Sequence, residues 1–73
     1  MDRPEWLTRA EMEQKDLAGK IKRLSAMLAD ATRMQPVTDA DRSLLHHQLS
    51  AMTCYNSTLS MRIQRHGGTT CAE

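Results

Sequence analysis

The 73 residues, with ten Lys and Arg against nine Asp and Glu, allow one domain at most. Their near-neutral balance excludes a general nucleic-acid binder, which carries a strong basic excess. No apolar run approaches the ~18 residues of a membrane-spanning helix, and the opening Met1-Asp2-Arg3-Pro4-Glu5 lacks the apolar core of a secretory leader.

Pro4 suits the first turn of a helix and Glu5 supplies the acidic residue favoured there. Beyond them Trp6, Leu7, Ala10, Leu17, Ile21, Leu24, Leu28 and Ala31 recur in steps of three and four, so the pattern predicts an amphipathic helix over residues 5–33 with a narrow apolar seam. Gly19 is a mild cost inside it. Acid-to-base pairs at i,i+4 support its outer face: Glu5 with Arg9, Glu11 with Lys15, Asp16 with Lys20. Pro36 is expected to end the helix, because it disfavours helical angles at Gln35 and has no amide donor.

Thr38 reads as an N-cap with Asp39 and Asp41 in the first turn, which opens a second helix over residues 38–65. Gly67-Gly68 stops it. The expected organisation is therefore an all-α, antiparallel two-helix hairpin over residues 1–66 with a flexible tail at 67–73, since the connection between the helices is short. The second helix has a main seam of Leu45, Leu49, Met52, Asn56, Leu59 and Ile63. A second stripe, about 80° around, holds Leu44, Gln48, Ala51, Tyr55 and Arg62. Between Ser43 and Met61 nineteen residues pass without an Asp, Glu, Lys or Arg. A solvated helix of that length carries charges, and this one is too polar for lipid, so protein is expected on more than one of its sides. A single hairpin seam also gives a small core. Assembly of several copies into a helical bundle of closed symmetry is the expected remedy, with Leu44, Leu49, Ala51, Met52, Tyr55 and Leu59 at the interface.

Chemistry-bearing residues are few. His46 and His47 are adjacent and point about 100° apart, unlike the i,i+4 pair that holds a metal on a helix; no metal site and no cofactor is expected. Cys54 and Cys71 show neither metal nor redox spacing, which points to a reduced, cytosolic setting. Cys54 lacks an orienting acid and reads as a buried small hydrophobe. No phosphate loop or Ser/His/Asp order stands out, so no enzymatic activity is expected. Gln14 and Asn56 fall in the two seams within about a turn of each other, where a polar pair fixes register. Trp6, Arg9, Lys15, Lys20, Lys22 and Arg23 read either as a solvated charged face with one aromatic or, if two copies meet, as paired cations and aromatics fit for an anion with flat bases.

The run Trp6-x-x-Arg9, Leu17-x-x-Lys20-Ile21-x-x-Leu24-x-Ala26-x-Leu28, Pro36, then Leu45-x-x-Gln48-Leu49-x-x-Met52-x-x-Tyr55-x-x-x-Leu59-x-x-Arg62-Ile63 resembles a family of small phage helical-hairpin proteins. These are the anti-CBASS and anti-Thoeris sponges of cyclic-nucleotide immune signals. The resemblance implies a homo-oligomer, a hexamer in the anti-CBASS branch, that holds cyclic dinucleotides between protomers in the host cytoplasm. It also implies cyclic trinucleotides at a separate site in some members. Its ligand residues would be Trp6, Arg9 and Lys20, with Arg62 at any second nucleotide site. A coiled-coil adaptor that docks its uncharged second helix on another protein is the alternative. A DNA-binding hairpin fits poorly with the neutral charge.

Overall fold

In the computed structural model, residues 3–70 are described. Met1, Asp2 and Cys71–Glu73, and with them the outer part of the expected tail, lie outside the described residues. The chain is all-helical over its elements: α1 spans Glu5–Ala29, α2 is a single turn over Ala31–Met34, and α3 spans Asp39–Arg65. The long helices α1 and α3 pack antiparallel along a molecule of 53 × 17 × 15 Å. Among the described residues no helix is long and apolar enough to cross a membrane.

The first helix does not run to residue 33. It breaks at Asp30, whose backbone turns extended at φ −93°, ψ 103°. The Asp30 carboxylate accepts from the amides of Thr32 at 3.0 Å and Arg33 at 3.3 Å. Asp30 is therefore the end of α1 and the N-cap of α2 at once, because a short carboxylate satisfies amides that a new helix start leaves open. The break precedes Pro36, so Pro36 is not what ends α1, and Gln35 keeps helical angles at φ −55°, ψ −44°. Met34, buried in the turn, and the bond from the Val37 amide to the Met34 carbonyl at 3.0 Å close the connection.

At α3 the expected cap is present: Thr38 Oγ1 accepts from the Asp41 amide at 3.2 Å. The helix begins one residue later than the 38–65 read from sequence. Its end is a Schellman turn. Gly67 takes the left-handed conformation at φ +74°, its amide donates to the Gln64 carbonyl at 3.1 Å, and the Gly68 amide donates to the Ile63 carbonyl at 2.9 Å.

The core sits at the end that carries the termini. Leu7, Ala10, Leu59 and Ile63 form its buried apolar cluster. Next along the seam Gln14 Nε2 donates to Asn56 Oδ1 at 2.9 Å, with both residues at most 1% exposed. Toward the turn the seam continues through Leu17, Ile21, Leu24 and Leu28 against Leu45, Leu49 and Met52, all only half-buried.

Residues 67–70 lie against α1. The Thr69 amide donates to Glu11 Oε2 at 2.7 Å, and Arg3 pairs with the same oxygen at 2.6 Å. A side chain at Gly68 would meet Ile63 at 2.6 Å and Glu11 and Leu7 at 3.0 Å, so the absence of a Cβ is what lets the segment lie flat on α1. Held by a bond from Arg3 first and by the Thr69 amide second, the Glu11 carboxyl titrates below its ordinary 4.5.

Candidate ligand-binding flank

Helical residues seven apart return to nearly the same direction. On α1 this aligns Trp6, Glu13 and Lys20; on α3 it aligns Gln48, Tyr55 and Arg62. Two contacts show that the rows lie side by side. The Arg62 guanidinium sits over the Trp6 ring, 5.7 Å from its centroid. Two turns further, the Tyr55 hydroxyl donates to Glu13 Oε1 at 2.6 Å. The same step sets Gln48 opposite Lys20. One exposed flank of the hairpin thus carries Trp6, Glu13 and Lys20 beside Arg62, Tyr55 and Gln48, with Leu44 and Ala51 next to them on α3.

The flank is aromatic and cationic at one end and apolar at the other. Trp6 remains 39% exposed, Tyr55 45% and Leu44 64%. The bond to the Glu13 carboxylate holds the Tyr55 hydroxyl above its ordinary 10.0, so this bridge is intact at neutral pH and is lost as pH rises through the raised value. At the end with the termini the His66 and Trp6 rings meet at right angles, with centroids 4.8 Å apart and planes at 88°.

The residues expected to bind ligand are distributed as follows. Trp6 and Arg62 are together. Arg9 lies one turn from Trp6 and pairs with Glu5 at 2.9 Å, both side chains exposed. Lys20 is on the same flank as Trp6 but fourteen positions on, about 21 Å along the axis, so the two cannot grip one small ligand within a single chain. Of the residues expected at an oligomer interface, Leu44, Ala51 and Tyr55 face outward. Leu49 and Met52 are half-buried in the hairpin's own seam, and Leu59, 1% exposed, is fully spent there and offers no surface to a copy.

Cys54 corrects an expectation: it is exposed, because its position two residues from Asn56 turns it about 200° from the seam. Glu11–Lys15 and Asp16–Lys20 are not among the ion pairs formed; Glu11 is taken by Arg3. His66 escaped the sequence reading. It lies just past α3 after the last seam residue, and its only signal was the four-residue step from Arg62. Among the described residues no group of three or more His, Cys, Asp or Glu gathers to hold a metal ion.

The opposite flank of α1 differs in kind. There Ala18, Ile21, Lys22, Ser25, Ala26 and Ala29 line an open, mostly apolar groove of about 500 Å³.

A family model described as Sequestin matches residues 4–65 of the chain. No curated protein and no solved structure matches it.

Proposed function

The chain belongs to the Sequestin family, and from that premise we propose that it is a non-catalytic sponge: an oligomer that binds cyclic nucleotide immune messengers between its protomers and withholds them from a CBASS-type effector in the host cytoplasm. The family's name speaks of sequestering. One observation carries the rest of the reading. Trp6, Lys20 and Arg62 share a flank with the uncovered Leu44, Ala51 and Tyr55, yet Trp6 and Lys20 stand too far apart to act together within one copy.

A second copy laid along this flank in the opposite direction brings the Trp6 of one beside the Lys20 of the other, twice, about the two-fold axis. Each junction then pairs a ring that stacks a base with a cation that takes a phosphate. A cyclic dinucleotide has matching two-fold symmetry. The uncharged α3 surface around Leu44 makes the junction apolar and excludes water from it. No bond is made or broken; the free messenger falls because it is held. A hexamer is the assembly this reading takes.

Calorimetry of the purified protein against cyclic dinucleotides, cyclic trinucleotides and cyclic ADP-ribose isomers tests the reading. Binding should raise stability by about 2.7 kcal/mol at a hundred times the dissociation constant, and Lys20→Ala should keep the assembly while weakening the ligand. No heat and no thermal shift with any member of the panel removes it. The exposed apolar residues of α3, Leu44 at 64% and Met61 at 63%, favour a second reading as an adaptor for another protein. In that case Lys20→Ala is silent, while Leu44→Asp or Tyr55→Asp abolishes function.

A further inference from the structure

We propose that Arg62 is a displaceable cover: it occupies the face of Trp6 in the ligand-free chain, yields that face to a purine base, and moves onto the phosphate of the same ligand while His66 stays at right angles to the indole. The inference rests on the sequestering reading and adds how one end of a ligand is taken within a single chain.

The geometry divides the three groups by role. The Arg62 guanidinium lies 5.7 Å from the Trp6 centroid, over the ring, where a stacked base would lie. His66 stands at 88° to the same ring, with centroids 4.8 Å apart, so it does not stack parallel on the indole as a base would. Arg62 is exposed and takes part in neither ion pair found among the described residues; no carboxylate pins it in place. Trp6 is 39% exposed, so its ring can be reached once Arg62 swings away.

The exchange follows from what each contact is worth. A guanidinium over an exposed ring is held by a weak cation–π attraction, whereas a base on an aromatic platform is held more strongly. A guanidinium released from the ring also gains a two-pronged bond when a phosphate is within reach. A ligand with both base and phosphate therefore compensates the displacement twice. A nucleoside must displace Arg62 without satisfying it.

That difference gives a test with opposite signs. Trp6 is the one tryptophan of the chain, so its fluorescence reports the site directly. Adenosine and adenosine monophosphate are titrated into the full chain and into Arg62→Ala, with circular dichroism to check that the exposed substitution leaves the helices intact. In the unmodified protein the monophosphate should quench Trp6 and bind roughly tenfold tighter than adenosine. In Arg62→Ala adenosine should bind more tightly than before and the monophosphate more weakly, bringing the two together. His66→Ala should weaken both alike, and His66→Phe, which keeps an aromatic ring, should restore them.

If Arg62→Ala weakens both probes by the same factor, or if the monophosphate leaves Trp6 fluorescence unchanged, the cover does not exist. A parallel titration with a cyclic dinucleotide separates this failure from that of the sequestering reading. Lys20-dependent binding there, without the Arg62 sign reversal, overturns the cover alone.

Discussion

The two ends of the hairpin use the same seam spacing and reach different outcomes. At the end with the termini, Leu7, Ala10, Leu59 and Ile63 are buried and the backbone after α3 is fastened over them by Glu11. At the turn end, Leu24, Leu28, Leu45 and Leu49 are only half-buried and Leu44 projects into solvent. One end is closed by its own chain. The other has apolar surface left over, and that surplus adjoins the flank that carries Lys20.

The largest expected effect breaks the closed end. Leu59→Ala empties a fully buried site and should cost about 2–5 kcal/mol in chemical denaturation, whereas Leu24→Ala, at a half-buried site, should cost the isolated hairpin about half as much. Equal costs in the assembled protein would show that copies cover the turn end.

Next comes the polar pair between the two ends. Asn56→Leu removes the acceptor of the Gln14 Nε2 bond from a buried seam and should cost about 1–3 kcal/mol. Replacing both Gln14 and Asn56 with Leu should recover most of that loss in a melting experiment while loosening the register, seen as more than one assembly mass.

Gly68→Ala acts on the strap. Its new methyl would press on Ile63 from 2.6 Å, and about 1–3 kcal/mol should be lost as the segment lifts or Ile63 shifts. Hydrogen exchange at the Thr69 amide should rise with it.

The smallest effect is in the Glu11 clasp. Because the folded carboxyl titrates below its ordinary 4.5, its contribution is full above that value and is lost as pH falls through the lowered one. Glu11→Gln should therefore melt below the unmodified protein at neutral pH, with the gap closing as pH falls through the lowered value.

What could be read from sequence follows the same division. Both seams, the Thr38 cap, the Gly67 stop and the facing of Gln14 with Asn56 were legible, because each depends on residues whose spacing alone fixes the geometry. The Asp30 break was hidden by a seam that runs through it to Ala31: an aspartate capping two residues ahead competes with helix continuation on local terms that periodicity does not show. The Glu11 clasp was read as a surface pair with Lys15, since its true partners, Arg3 and Thr69, come from chain ends brought together only by the fold. Cys54 was read as buried by residue type, and its angular position on α3 overrides type. On the candidate flank, Trp6 and Arg62 were each picked out, but their contact and the part of His66 required the antiparallel register in three dimensions.

Sedimentation equilibrium at micromolar concentration tests the central claim, that further copies of the chain cover the turn end and complete the flank. The account predicts a mass several times the 8.3 kDa of one chain, falling toward the single-chain value in Leu44→Asp with helicity retained. A compact, stable species of 8.3 kDa in the unmodified protein would contradict it.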